Sequence, residues 1–447
     1  MTDDHATPAM LDRLLAGAST SEESTWVLAH LVGRCETCSR YVRGALARTA
    51  PLPSGPEAYD QALAGSLARS SEGIAAVRAE RLEAAALWAT LEGTPEPLRA
   101  KLIAGDPRFY TWALAARFLD AAAETHWQDS SGRLAACRLA LAIAERLPEA
   151  AYPLGLTHDL EARALGSLAD ALRLAHQLNA AQAVLRQAGA ALKRGTGDGL
   201  ERAWLLRVGA GVEMAAGDPA EAARLLRQAA SLYRLYGDHH EEGRTLGKLA
   251  LVVGHDNPAQ GAGLAQRALD LLDPAREPRC ELAARHALVW FLNDCGLGWE
   301  ALDLLERTRS RYLLCRESQP RLTLPWLEAR ICRSLGRLEA AERGLSAVWH
   351  DFREAGFRQE LTLVSLDLAE VYLAQGNARQ AVRLLRSFRP TLARWRMQDE
   401  GIARWQLLIE ATANEPSEAQ ALTRDATRYY RRRWPRVVPV SSWTAAG

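Results

Sequence analysis

The densest set of metal-ligand residue types lies in the stretch His30-Leu31-Val32-Gly33-Arg34-Cys35-Glu36-Thr37-Cys38. A Cys-x-x-Cys turn presents two soft thiolates at one edge, and a histidine near the end of a preceding helix supplies a third donor. Tetrahedral zinc takes such a set. The alternative is a small helical domain that packs without metal. His239-His240-Glu241-Glu242 also combines imidazole and carboxylate, but it follows Gly237-Asp238 and reads as the solvated first turn of a helix, where glutamates complement the positive end. Gly195-Thr196-Gly197-Asp198-Gly199 offers a backbone able to cradle an anion. It follows a helix rather than a strand, which favours a helix-to-helix turn. Gly209-Ala210-Gly211 and Gly261-Ala262-Gly263 fall inside helical patterns, where small residues permit close packing. Phosphate-loop, zincin and hydrolase-elbow motifs are missing from the sequence, and the expectation is a protein that is not an enzyme.

The elements that must position these residues are helices. Ala, Leu, Arg and Glu dominate while Val, Ile and Thr are sparse, a bias toward helix along the whole chain. At 447 residues the chain is too long for one compact core, so several domains or a repeat array is expected. Lys plus Arg is 55 against 54 for Asp plus Glu, so no global field draws in nucleic acid or an anionic membrane. The acidic start MTDDHATPAM lacks the order of a signal peptide, and no later stretch has the apolar length of a bilayer span; a cytoplasmic protein without a membrane is expected. Seven cysteines, an odd number, argue against a disulfide framework, and Cys137, Cys280, Cys295, Cys315 and Cys332 read as small apolar fillers.

A pattern Gly-x-x-x-x-Ala-x-x-x-Leu-x-x-Ala recurs. It runs through Gly217, Ala222, Leu226 and Ala229, then Gly296, Ala301 and Leu305, then Gly336, Ala341 and Leu345, then Gly376, Ala381, Leu385 and Phe388. Weaker copies at Ala181 and Gly261 fill the series 181, 222, 261, 301, 341, 381, with steps of 41, 39, 40, 40 and 40 residues. Each repeat then holds a helix, a break at glycine and a second helix whose alanine admits close approach. The breaks carry capping residues: Asp218 before Pro219, Asn257 before Pro258, and Asn377 with Gln380. The pattern resembles the tetratricopeptide repeat, though the period exceeds the usual 34 or so residues of that repeat, which implies longer helices. The resemblance covers roughly residues 100 to 412. It implies an all-α, right-handed superhelical solenoid of antiparallel helix pairs. An earlier pair is expected from Phe109 to Leu147, with Pro148 to Gly155 as an insertion that breaks the period.

Residues 1–50 form a separate module of three expected helices: one over Met10 to Ala16, one begun by a Ser19/Glu22 capping box, and one from Glu36. The proline-rich stretch Pro51 to Pro56 ends it, residues 51–100 serve as linker and leading helices, residues 101–412 hold the repeats, and residues 413–447 form a capping helix and basic tail. The His30, Cys35, Cys38 set resembles the zinc-binding anti-sigma-factor domain, here with four residues between the histidine and the first cysteine where that family usually has three. The resemblance implies a fourth ligand about 25 residues upstream; His5 lies at that distance. It also implies a structural Zn2+ and a sigma factor, or a co-encoded effector, as partner.

In tetratricopeptide-like arrays the first helix of each repeat lines the concave face. Registering each repeat on its alanine places Arg207, His286, Trp290, Asn293, Trp326, Arg330, Arg333 and Glu370 there. Trp and Arg are typical of binding hot spots, so a protein or peptide partner is expected; the alternative for Trp290 and Trp326 is a role as inter-repeat core. The tail from Arg424 to Arg436 interleaves arginines with Tyr429, Tyr430 and Trp434, a composition that suits nucleic acid, although a capping helix with a solvated arginine face is favoured. The expected function is a regulatory scaffold that captures a protein or peptide, with a transcription regulator of anti-sigma type, or one held to nucleic acid by its basic tail, as the other reading. Oligomeric state is left open.

Overall fold

The computed structural model describes residues 5–15, 19–20, 23–24, 26–27, 31, 35–49, 75–124, 129–314, 318–394 and 399–433. Among these the structure is all-α, without a strand. Two compact units divide the chain: Met1–Ala122 with Ser130–Ala175 and Asn179–Arg202, and Ala123–Asp129 with His176–Leu178 and Ala203–Gly447. None of the described helices is long and apolar enough to cross a membrane.

The first unit opens with α1 (Pro8–Leu15) and α2 (Glu36–Thr49), packed on each other around Ala6, Leu11, Val27 and Cys38. The residues between them are described only in part. The expected Ser19/Glu22 box falls on Glu22, which lies outside the described residues; beside it the backbone N–H of Glu23 donates to Thr20 Oγ1 at 3.2 Å. Glu23 turns its carboxylate to Arg13 instead of back toward the cap. Helices follow at 75–92 (α3), Glu96–Gly105 (α4), Trp112–Glu124 (α5), Ser130–Ala144 (α6), Leu154–Leu174 (α7) and Leu178–Arg194 (α8). The segment from 145 to 153 is irregular and interrupts the helix pairs. Tyr152 in that segment accepts the backbone N–H of Trp112 at 3.2 Å and donates to Glu80 at 2.9 Å, tying it to α5 and α3.

In the second unit, to which α9 (Gly199–Ala216) contributes from Ala203, every helix from α10 onward packs on its successor. These are α10 (Pro219–Leu235), α11 (His239–Gly254), α12 (Pro258–Leu271), α13 (Pro278–Asp294), α14 (Gly298–Leu314), α15 (Ser318–Ser334), α16 (Leu338–Glu354), α17 (Arg358–Ala374), α18 (Ala378–Arg394), α19 (Asp399–Asn414) and α20 (Pro416–Arg433). The forty-residue period has a direct structural cause. Ala181, Ala222, Ala301, Ala341 and Ala381 are all fully buried, each where a second helix crosses its partner closely. Gly261 takes the same slot because a methyl there would lie 2.6 Å from the Cα of Gly254, nearer than packed atoms can sit. Leu305, Leu345 and Leu385 fill the groove one turn later.

The turns follow the same chemistry each time. Asp218, Asn257 and Asn377 accept the backbone N–H three residues on, at 2.9, 3.1 and 3.4 Å, as the sequence predicts. At the other end of the turn Gly296, Gly336 and Gly376 adopt φ of 82°, 74° and 75°, and the next residue's N–H reaches back to Leu292, Cys332 and Tyr372. That bond closes the helix terminus and leaves few carbonyls orphaned. First helices also touch along the array: α11 lies beside α13, α13 beside α15, and α15 beside α17.

Candidate functional site

The face made by α13, α15 and α17 holds a network of buried charge. Arg330 of α15 is 1 % exposed and donates to Asp367 of α17 at 2.8 and 2.9 Å and to Asp294 of α13 at 2.7 Å. Arg333 donates to Asp367 at 3.2 Å and pairs with Glu370. The indole N–H of Trp326 donates to Asp367 at 2.8 Å. A third guanidinium enters from the C-terminal helix: Arg431 of α20 donates to Asp294 at 3.0 Å, across 137 residues of sequence. Arg330 and Arg431 both lie over the Trp290 ring, 4.1 and 4.9 Å from its centre. Such cation–π contacts strengthen as water is excluded.

Three guanidiniums face three carboxylates, so the cluster is neutral, a requirement for charge at this depth. Burial pushes the Asp367 carboxyl up, but Arg330, Arg333 and Arg431 outweigh it and hold it below the ordinary carboxylate range. Asp294 behaves likewise, with burial opposed by Arg431 and Arg330. Burial lowers Arg431, and the Arg330 charge lowers it further. His255 is driven down to about 4 by burial and then by Arg431, and His286 to about 3 by burial and then by Arg330. Both imidazoles are therefore neutral near pH 7. His286 Nδ1 meets the Tyr312 hydroxyl at 2.7 Å, and Trp290, Trp326 and Phe352 stack edge to face, at 5.3 and 5.6 Å between successive rings.

The residues that the sequence assigns to a partner-facing surface thus do come together, apart from Arg207, but most are not on a surface. His286, Trp290, Asn293, Trp326, Arg330 and Arg207 are buried. Only Arg333 and Glu370 keep side chains 18 % and 23 % exposed. Arg207 lies in a different ion pair, 2.5 Å from Glu241, which also binds Arg244 at 3.0 Å. There burial pushes Glu241 up, yet the Arg207 and Arg244 charges hold it down at about 2. His239 to Glu242 begin a helix capped by Asp238, but not a solvated one: His240 and Glu242 are buried, with His240 facing Glu277 at 3.3 Å and Glu242 held by Arg234 at 2.6 Å. Committed to these partners, the cluster is not free to ligate a metal.

The other members of the network, Asp294, Asp367 and Arg431, were missed in the sequence. A signal existed for Asp367, a carboxylate flanked by leucines in the middle of a largely apolar helix, which demands a buried partner. Arg431 has no such mark within its arginine run. In the first unit the Gly195–Gly199 turn does hold an anion, and that anion is internal. Asp159 accepts the Thr196 backbone N–H at 3.2 Å and its hydroxyl at 2.5 Å, and a methyl on Gly195 would lie 1.9 Å from its Oδ1. Cys137 and Cys280 are buried, as fillers should be, whereas Cys295 is exposed; Cys315 lies outside the described residues.

At the N-terminal module, His5, Cys35 and Cys38 bring one donor atom each within 4.8 Å of one another, with Cys35 Sγ 3.2 Å from His5 Nδ1. Donors around a tetrahedral zinc sit about 3.3–3.8 Å apart, given bond lengths near 2.1 and 2.3 Å. Cys35 Sγ and His5 Nδ1 stand near that spacing, and with Cys38 the three residues are of the donor types such a site takes. Burial and the neighbouring Cys35 thiol raise the Cys38 pKa, while the Ala6 N–H opposes them; a cation would reverse the balance. His30, like Pro51 to Pro56, lies outside the described residues.

No protein-family model and no curated protein matches the chain. Among solved structures it is similar to a Rap protein complexed with competence and sporulation factor, with a TM-score of 0.53 and 17% identity over 73% of this chain and 94% of that one. Aspartyl phosphate phosphatase F from Bacillus subtilis aligns with a TM-score of 0.49 and 12% identity over 93% of this chain and 96% of that one. The first likeness is one of fold: a tetratricopeptide-like array of helix pairs.

Proposed function

We propose that the chain is a non-enzymatic regulatory scaffold that takes a protein or peptide partner on the face made by the first helices of its repeats, while the N-terminal module docks a second partner. The observation that carries the reading is the Arg333–Glu370 pair on adjacent first helices, accessible at the rim of the buried network of Trp290, Trp326 and Arg330. Arginine is among the residue types enriched at binding hot spots. The shared fold with a Rap protein solved with competence and sporulation factor bound supports it. Arg333→Ala and Glu370→Gln test it, since both sit where a partner can reach without unfolding the core. Each is expected to weaken the affinity of a purified partner about tenfold by calorimetry. Unchanged affinity in both overturns the reading.

The N-terminal module would hold a structural Zn2+ through Cys35, Cys38 and His5, with His30 as fourth ligand, and the metal would fix the junction between its helices. Protein purified without chelator should carry about one equivalent of zinc. Less than half an equivalent sinks the site. This cluster also favours the second reading, a transcription regulator of anti-sigma type. Cys35→Ser would then abolish binding of a sigma factor and leave the repeat-face partner bound.

A further inference from the structure

The last helix pair departs from the rule that the others obey. From α11 to α17 each first helix lies beside the next first helix, so α17 should be followed by α19. Its neighbour on that face is α20, a second helix, while α19 packs between α18 and α20. The reversal lays α20 over the first-helix face. It is anchored at one side on α19, where Tyr430 is fully buried, donates to the Gly401 carbonyl at 2.8 Å and meets the Trp405 ring at 6.0 Å. At the other side Arg431 reaches past α17 and α15 to Asp294 and Trp290 of α13.

The Arg431 head group therefore lies in an arginine pocket: a carboxylate for the guanidinium N–H groups and an indole for its face. The fit is incomplete. Among the described residues, Trp290 Nε1, Asn293 Oδ1 and Arg431 Nε are buried without a hydrogen-bond partner. The first two belong to the face itself, so a ligand that satisfies them competes well with α20.

We propose that the face over α13, α15 and α17 is a docking site for a basic helix presenting arginine, and that α20 is its internal ligand, displaced when the partner helix binds. This rests on the reading above that the same face takes a protein segment. Displacement needs only differential affinity, because one face cannot seat both helices.

A labelled synthetic peptide of residues 416–433 is the probe, titrated into the full-length chain. The Arg431→Ala chain, whose internal ligand has lost its head group, is expected to bind the peptide at least about tenfold more tightly than wild type. The same peptide carrying Arg431→Ala should lose that gain, and a peptide carrying Arg431→Lys should lose most of it, since lysine lacks the planar face. Equal affinity of the native peptide for both chains overturns the proposal, as does a substituted peptide that binds as well as the native one. If Arg431→Ala fails to fold by circular dichroism, Tyr430→Phe loosens the other anchor and the same comparison applies. A partner lost on Arg333→Ala, together with no exchange of the peptide, overturns the internal ligand alone and leaves the scaffold reading standing.

Discussion

The two units bury their carboxylates by opposite means. Asp159 in the first unit is satisfied by a turn, through the N–H and hydroxyl of Thr196, and needs no cation. Asp367 in the second is satisfied by two guanidiniums and an indole from a neighbouring helix. The first arrangement is local and rigid, made by a glycine that lets a loop close on an oxygen. The second is collective, because each arginine also serves another carboxylate, so its stability depends on several helices at once. A partner can perturb the second arrangement and has little purchase on the first.

Breaking the collective cluster has the largest expected effect. Asp367→Ala leaves Arg330 buried with one carboxylate and should cost about 3–5 kcal/mol in urea unfolding. The pH dependence sharpens the contrast. His255 and His286 are neutral when folded, with pKa values near 4 and 3 against an ordinary 6.5. Below pH 6.5 the unfolded chain binds protons that the folded chain refuses, so stability is complete above that value and falls as pH drops toward 4. The slope is roughly 1.4 kcal/mol per pH unit for each histidine. Thermal melts between pH 7 and 4 measure it, and His255→Gln should flatten about half of it. Asp159→Ala removes the bonds that order the Thr196 turn and should cost about 1–3 kcal/mol in urea unfolding. The smallest effect separates two glycines of one helix. Gly261→Ala forces a methyl against Gly254 and should destabilise by about 1–3 kcal/mol. Gly263→Ala meets nothing within 4 Å and should stabilise by about 0.5–1 kcal/mol.

Much of this protein is written locally. The alanines at forty-residue intervals, the Asp218, Asn257 and Asn377 caps and the glycine turns are legible because helix pairing and capping depend on residues a few positions apart. Of the candidate site, the helices and the residue types were legible. The burial of Arg330 was not, and for Trp290 and Trp326 the sequence left groove and inter-repeat core both open, because exposure at a first-helix position depends on what lies over it.

What covers that face is decided at long range. Sequence alone determined that the chain is a helical repeat array and where its helices begin and turn, since a period and a cap act over one or two turns of backbone. Only the tertiary structure decided that the last pair reverses its order, that Arg431 ends at Asp294, and that His5 meets Cys35. An arginine carries the same charge wherever it stands. Which carboxylate it neutralises is fixed by how distant helices cross, and no nearby residue records that.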